Sequence, residues 1–173
     1  MHIHTAVALV LVTLLGREVN AQAAPPAVAP PAVAQPSDQR AAIIAVADSA
    51  LAAITRGDVV ALTDLMVPEA TMFPTSTREG VTSYRARTRE AQRSGSLAGV
   101  VERGFSPTAM VNGGVGVVWM PYDLYLNGAW SHCGVDVFSM VKSNGAWRIA
   151  SLAWSAEQPP VCAKHPAGPP NKH

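Results

Sequence analysis

Charge is scarce in this chain of 173 residues, and neither sign dominates. Lys and Arg together number 13 and Asp and Glu 12, which leaves a formal net charge of +1. Such a balance gives no overall field to attract nucleic acid or an anionic membrane, so we expect neither as a partner. Fourteen prolines and thirteen glycines are too few for a collagen-like or wholly disordered chain. The length and composition suit one folded domain.

Motifs that carry chemistry are scarce as well. The sequence contains no glycine-rich phosphate-binding loop and no Gly-x-Ser-x-Gly nucleophile motif. His132 is the one histidine within the expected folded unit, and with two distant cysteines it does not make a zinc site. We therefore expect no metal and no cofactor, and whether the protein is an enzyme stays open.

No hydrophobic run is long enough to span a bilayer. The longest, at 6–16, is about eleven residues where roughly 20 are needed. A polar stretch follows, and then Ala21-Gln22-Ala23, the small-x-small pattern of a signal-peptidase site. We expect residues 1–23 to be an export signal cut after Ala23, with Ala21 as the alternative, and the mature protein to be periplasmic or secreted.

Proline marks both ends of the folded unit. The sequence PPAVA occurs twice between 25 and 34, which predicts an extended Pro/Ala-rich linker at 24–36. Five prolines and almost no apolar residues follow from 159 to the C-terminus. We therefore place one domain at 37–158 and a Pro-rich tail at 159–173.

Helical spacing dominates the first part of the domain. Apolar residues recur with a helical period from the capping pair Ser37-Asp38 to Gly57, which ends the first helix. Asp58 is placed to cap a short second helix that Pro68 ends, with Leu62, Leu65 and Met66 inward. After a short extended segment at 71–75, a third helix is expected from Gly80 to Arg93. Its inward residues would be Val81, Tyr84, Thr88 and Ala91.

From Ser96 onward the pattern is that of strands. Asn127-Gly128 and Asn144-Gly145 are both typical two-residue hairpin turns, each flanked by strand-like runs. Three N-terminal helices packed on a curved antiparallel sheet make an α+β domain.

These residues carry a resemblance to a known superfamily. They are the order of helices, Arg56-Gly57-Asp58 early in the domain, and the C-terminal motifs GVVW at 116–119, YLNG at 125–128, HCGVDVF at 132–138 and NGAWRI at 144–149. Together they resemble the NTF2-like superfamily, in particular its bacterial SnoaL-like and DUF4440-type members, which have a similar early "gD" passage. The resemblance implies a cone-shaped half-barrel with a hollow, often as a homodimer packed through the sheet. It implies no one reaction, since members include isomerases, dehydratases, cyclases and non-catalytic binding domains.

The hairpin at Asn127-Gly128 predicts which side chains share a face. With a two-residue turn, Asp123 lies opposite His132 and Trp119 lies opposite Asp136. The shared face would then comprise Trp119, Asp123, Tyr125, Trp130, His132, Asp136, Phe138 and Met140. An imidazole between carboxylates and aromatic rings suits acid–base chemistry. A solvated cross-strand pair of Asp123 and His132 is the alternative, and a one-residue slip would reverse the faces.

Asp136 has apolar neighbours on its strand, and an unpaired buried carboxylate is costly. Either it has a structural partner, with Arg148 as the candidate, or it lines the pocket. The tentative catalytic set is His132 with Asp123 and Asp136. The candidate ligand contacts are Trp119, Tyr125, Trp130, Phe138 and Tyr84.

The only two cysteines, Cys133 and Cys162, suggest a disulfide, because an exported chain with an even count usually pairs its thiols. Such a bridge would hold the C-terminal tail against the sheet; two free thiols are the alternative. Cys133 lies on the opposite strand face from His132, which gives it no neighbouring base.

Arginines outnumber acidic residues in the middle of the chain. The arginines are Arg78, Arg85, Arg87, Arg89, Arg93 and Arg103, against Glu79, Glu90 and Glu102. A solvated helix face explains this excess; a docking surface for an acidic partner or a gate for an anionic ligand are the alternatives.

The sequence thus predicts an exported domain that binds a small, largely apolar molecule in its cone, as a homodimer. One alternative is an isomerase, dehydratase or cyclase that uses His132 with Asp123 or Asp136. Another is a non-catalytic dimerisation or partner-binding module with side chains filling its cone. A solvent-reached cavity with a carboxylate or imidazole inside it would favour the enzyme.

Overall fold

The computed structural model describes residues 36–170. The expected signal peptide lies outside these residues, as does the linker except for Pro36, which begins helix α1 (Pro36–Thr55). The apolar spacing that predicted this helix is confirmed, since Ile43, Ala47 and Ala50 are completely buried. Gly57 ends the turn after α1 with φ +73°, the left-handed conformation that favours glycine.

Helix α2 (Val59–Asp64) is capped as the sequence predicts, because the Asp58 carboxylate accepts a hydrogen bond of 2.9 Å from the Ala61 amide. The helix is shorter than expected, however. Met66 is already the first residue of strand β1 (Met66–Arg78), and Pro68 lies within that strand. The expected extended segment at 71–75 is therefore only the middle of a strand of 13 residues.

The predicted third helix at 80–93 is largely wrong. Its first part is strand β2 (Val81–Tyr84), then the short β3 (Arg87–Thr88), and only α3 (Arg89–Arg93) is helical. Glu79 and Gly80 both have positive φ, so they form a tight turn that folds β2 back onto β1. Val81 and Tyr84, expected to face inward, are 69% and 70% exposed.

Two long hairpins form the second half of the domain, as their Asn-Gly turns predict. Asn127 and Asn144 both have positive φ, and each is followed by a glycine with positive φ. The remaining strands are β4 (Val100–Gly104), β5 (Thr108–Asn112), β6 (Val115–Leu126), β7 (Ala129–Ser143) and β8 (Ala146–Ala156).

All these strands form one sheet of eight strands, along which the order is β2-β1-β8-β7-β6-β4. Strand β3 pairs with β1, and β5 pairs with β6. Every pairing is antiparallel except the parallel pair of β1 with β8. The domain is therefore α+β with an antiparallel-rich sheet, and its three helices precede most of the strands.

The hydrophobic core lies between α1 and one face of the sheet. Helix α1 packs across β4, β5, β6 and β8. Ile43 belongs to the same buried cluster as Val118, Phe138 and Met140. We call this the inner face of the sheet and the opposite one the outer face.

An irregularity in the β6–β7 hairpin changes the predicted faces. Tyr125 pairs with Trp130 as expected, but the register then shifts by one residue, so Leu124 pairs with His132 and Met120 with Asp136. The predicted pairing of Asp123 with His132, and of Trp119 with Asp136, is wrong. Side chains that were expected to share one face are divided between the inner and the outer face.

The predicted disulfide is confirmed. Cys133 and Cys162 are bonded, with their Cα atoms 5.7 Å apart. Beside this bond, Cys133 and Glu157 exchange two backbone hydrogen bonds. The tail also contacts the outer face at Asp123, whose Oδ2 accepts a 3.0 Å hydrogen bond from the His165 amide. None of the helices among residues 36–170 is both long and apolar enough to cross a membrane.

Candidate functional site

A cavity of about 140 Å³ lies between the helices and the inner face of the sheet. Most of its wall is aliphatic, because α1, α2 and the strands each turn apolar side chains toward it. These side chains are Ile54, Leu62, Met72, Leu97, Val100, Leu124 and Leu152, with Trp154 beside them. A dry cavity of about this size is large enough to hold benzene.

Polar groups enter this cavity from one part of its wall, and the strand register explains how. Glu102 on β4 pairs with Leu124 on β6, which in turn pairs with His132 on β7. These three side chains therefore form a row across the inner face. Asp136 lies on the same face because it follows His132 by four residues along β7. Arg87 and Gln92 complete the polar part of the wall.

Asp136 is a buried carboxyl without a charge partner in the described part of the chain. The residue is 2% exposed, and its Oδ2 atom accepts no hydrogen bond from residues 36–170. Burial raises its pKa well above the usual value, and the nearby Glu102 carboxylate raises it further. Burial also raises the pKa of Glu102, to about 7. The pair therefore holds protons at a pH where exposed carboxyls have lost them.

The predicted alternative of an ion pair with Arg148 is wrong. Arg148 instead donates a 2.9 Å hydrogen bond to the main-chain oxygen of Asp64, on the α2 side of the domain. Asp136 thus takes the other role considered for it, as a residue of the cavity wall.

His132, like Asp136, has a buried polar atom without a hydrogen-bond partner in the described residues. Its Nδ1 lies 2.9 Å from the Ser131 hydroxyl, and its ring packs edge-on against Tyr122. The Nε2 atom is buried and has no hydrogen-bond partner among residues 36–170. Burial lowers the pKa of the imidazole, which favours its neutral form. A neutral ring can accept or donate a proton at Nε2, depending on its tautomer.

Asp123 lies on the outer face and does not reach the cavity. Arg103 holds it with two hydrogen bonds, of 3.0 and 2.7 Å. The His165 amide provides a third. Its carboxylate is completely buried yet fully paired, which is the arrangement of a structural ion pair.

The predicted aromatic contacts are also divided. Trp119 is 51% exposed on the outer face, where it borders a shallow groove with Val135 and Val137. Tyr125 and Trp130 pack against each other edge-on, and Arg103 covers the Tyr125 ring from the same outer side. These three side chains lie outside the cavity.

The other two aromatic candidates do not line the cavity either. Phe138 is on the inner face but is completely buried in the core, away from the cavity wall. Tyr84 borders a second cleft, of about 520 Å³. This cleft shares Arg87, His132 and Trp154 with the cavity, so the two spaces are neighbours.

Sequence reasoning missed Glu102, Arg87, Gln92 and Trp154 as cavity residues. Trp154 could have been found, because it alternates with Leu152 along a strand that begins at a clear hairpin turn. Glu102 carried no such signal, since β4 is a short strand of five residues whose position depends on its pairing with β6.

No group of three or more His, Cys, Asp or Glu side chains within 36–170 is arranged to hold a metal ion. What the arrangement offers instead is a small apolar space with hydrogen-bonding and proton-holding groups on one wall. An apolar pocket with a few convergent polar groups is the usual form of a small-molecule site.

Comparison with known proteins identifies the fold. No family model matches the chain, and no curated protein matches it at a significant level. Solved structures do match, and they include NTF2-like, cystatin-like and ketosteroid isomerase-like proteins. The predicted fold is confirmed: the chain has the NTF2-like fold.

Three of these structures illustrate the likeness. An NTF2-like protein from Novosphingobium aromaticivorans is 14% identical with a TM-score of 0.56, over 69% of this chain and 82% of that one. A putative calcium/calmodulin dependent protein kinase II association domain from Xanthomonas campestris is 23% identical with a TM-score of 0.54, over 77% and 94%. A ketosteroid isomerase-like protein from Erwinia carotovora atroseptica is 14% identical with a TM-score of 0.52, over 70% and 98%. At these identities the likeness concerns the fold.

Proposed function

We propose that this domain binds a small, largely apolar molecule in the cavity between its helices and the inner face of its sheet. The observation that carries the proposal is the cavity itself, with about 140 Å³ of space and a mainly aliphatic wall. A molecule about the size of a six-membered ring would bury its apolar surface there. A domain that serves only for dimerisation or partner binding would not need such an internal cavity.

The polar wall adds a preference for ligands that carry one hydrogen-bonding group. Asp136 Oδ2 and His132 Nε2 are buried without partners in the described part of the chain, and each such atom costs free energy until a ligand satisfies it. A hydroxyl or carbonyl group on the ligand would pair with them. We therefore expect phenol to bind more tightly than benzene.

The test uses phenol and a pair of matched substitutions on one strand. Leu124→Phe fills the cavity, whereas Leu126→Phe adds the same bulk at a side chain that is 46% exposed and outside the cavity wall. We expect Leu124→Phe to weaken phenol binding by about tenfold or more, measured by calorimetry, and Leu126→Phe to leave it unchanged. Equal binding by both variants, with both folded by circular dichroism, would contradict a site in this cavity.

A second candidate is an enzyme of the isomerase, dehydratase or cyclase type. What favours it is the set of unpaired groups on the cavity wall, because an acid–base catalyst needs a proton acceptor and a proton donor beside the ligand. When Nδ1 of His132 donates to Ser131, Nε2 is an acceptor, and the protonated Glu102–Asp136 pair is the donor. His132 would act with Asp136 and Glu102, since Asp123 is paired on the outer face.

Binding and turnover separate these two candidates. A native mass spectrum of the protein from a periplasmic preparation would identify a bound molecule released on denaturation. Incubation with that molecule then distinguishes a binder, which returns it intact, from an enzyme, which converts it. For an enzyme, Asp136→Asn and His132→Gln would abolish conversion while changing affinity only a few-fold.

We further propose that the protein is exported as a SnoaL-like or DUF4440-type homodimer. The disulfide supports an oxidising compartment, and the exposed side chains of Trp119 and Met110 on the outer face support packing of two copies through the sheet. Sedimentation of the wild type and of Trp119→Lys tests the dimer: a dimer that persists in both would place the contact elsewhere.

A further inference from the structure

The second cleft, beside the cavity, is lined by several residues whose side chains can donate hydrogen bonds. The residues of its walls include Arg78, Arg85, Arg87, Ser76, Ser83 and Tyr84. No aspartate or glutamate lines this cleft, although acidic residues are nearly as numerous as basic ones in the whole chain. The charged side chains that line this cleft are therefore all positive, and it lies beside the mainly aliphatic cavity.

Three other arginines of the described chain, Arg89, Arg93 and Arg103, have acidic partners, whereas the three arginines of this cleft have none. Arg93 forms a 2.6 Å ion pair with Asp64, and Arg103 forms one with Asp123. Within residues 36–170, Arg78 and Arg85 make no ion pair, and the side chain of Arg87 bonds only the neutral amide of Gln92, at 2.6 Å. A guanidinium fixed by a neutral partner keeps its charge and its remaining donors available.

The cleft and the cavity share part of their walls. Arg87, His132 and Trp154 line both spaces, so the two are adjacent, and a molecule that occupies both would pass these side chains. The apolar part of such a molecule fits the aliphatic cavity, and its polar end would lie against the arginines.

We propose that the ligand of this domain is an amphipathic anion, whose carboxylate, sulfate or phosphate group is bound by Arg78, Arg85 and Arg87. This inference rests on the proposed binding of an apolar group in the cavity, and it adds the charge and orientation of the ligand. Guanidinium groups recognise such oxygens with paired hydrogen bonds. The protonated Glu102–Asp136 pair, deeper inside, adds no negative charge to repel the anion while it stays neutral.

The first arm of the test compares three probes on the wild-type protein by calorimetry. These are 3-phenylpropionate, the neutral 3-phenylpropan-1-ol and phenyl phosphate. We expect each anion to bind about tenfold more tightly than the alcohol at low ionic strength, and this advantage to shrink as salt screens the partly exposed arginines. The ratio between the two anions distinguishes a carboxylate from a phosphate ligand.

The second arm uses charge-matched variants. Arg78→Gln/Arg85→Gln removes two charges from the cleft, and Arg40→Gln/Arg56→Gln removes two from exposed positions on and just after α1 that line neither space. We expect the first variant to lose about tenfold in affinity for 3-phenylpropionate and nothing for the alcohol. The control should bind both probes as the wild type does.

The outcomes separate this inference from the proposed function. Equal affinities for the acid and the alcohol, or equal losses in both double variants, would overturn the anion inference and leave cavity binding intact. Failure of all three probes to bind the folded wild type would overturn both. Binding of the anions that survives the cavity-filling Leu124→Phe would place the anion site outside the proposed arrangement and so contradict it.

Discussion

Two buried aspartates on neighbouring strands of this sheet have opposite surroundings. Asp123 on the outer face is completely buried and accepts three hydrogen bonds, two from Arg103 and one from the His165 amide. Asp136 on the inner face is buried just as deeply, but it borders a cavity and its Oδ2 has no partner in the described part of the chain. Equal burial therefore does not imply an equal role: a paired carboxyl holds strands together, whereas an unpaired one is a candidate for function.

The largest expected effect is the difference in stability between two single substitutions, each of which replaces one of these aspartates with an apolar residue. Asp123→Ala leaves Arg103, whose side chain is only 19% exposed, without its counter-charge, and should lower the free energy of unfolding by about 3 kcal/mol. Asp136→Leu removes an unpaired buried group and should be neutral or stabilising at neutral pH. Urea unfolding of both variants measures the difference. A loss of equal size at Asp136 would mean that it, too, has a structural partner.

A smaller effect is expected from pH. Glu102 has its pKa raised from 4.5 to about 7, and that of Asp136 is also raised, so the folded state keeps these protons longer than the unfolded chain does. The contribution of Glu102 to stability is complete below pH 4.5 and is lost as pH rises through about 7, by roughly 2 kcal/mol once its partial exposure to solvent is allowed for. Asp136 acts in the same direction. Burial lowers the pKa of His132, so this residue has the opposite effect: it reduces stability as pH falls below 6.5.

The measurement is the melting temperature between pH 4.5 and 8. We expect Glu102→Gln/Asp136→Asn to flatten the decline that the wild type shows as pH rises, because neither amide titrates. A conservative Asp123→Asn variant should keep that decline even though it melts at a lower temperature. Parallel profiles for the wild type and the double variant would show that the pair is already ionised in the folded state.

The smallest expected effect belongs to Arg148. Its hydrogen bond to the Asp64 carbonyl is exposed, so Arg148→Gln should cost no more than about 0.5 kcal/mol. The pH profile should match that of the wild type, because Arg148 does not contact Asp136. If the decline with pH steepened or disappeared in this variant, an electrostatic link between the two residues would be indicated.

Local signals in the sequence were sufficient for the helices with clear ends and for the hairpins. The spacing from Ile43 to Ile54 and the glycine at 57 predict α1, and the two Asn-Gly pairs predict the turns of both long hairpins. The Cys133–Cys162 pairing also follows from local information, since only one pairing of two cysteines exists. These features depend on residues close together in the chain.

The errors arose where distant pairing decides the outcome. The segment at 81–84 has helical spacing with the arginines that follow, but it pairs with β1 and becomes a strand. The one-residue shift between Leu124 and Tyr125 has no sequence signal, yet it puts Asp123 and Asp136 on opposite faces. For the same reason Glu102 could not be assigned to the site before β4 was seen beside β6.

The parallel pairing of β1 with β8 has a consequence for how the cavity forms. Thr75 on β1 bonds the main-chain oxygen of Trp154 on β8, 79 residues later in the chain. Met72 and Leu152 are paired across the same two strands and line the same cavity, although they are far apart in the sequence. During synthesis, which proceeds from the N-terminus, β1 therefore has no partner at this edge until β8, the last strand, has been made. The cavity can form only once the domain is complete.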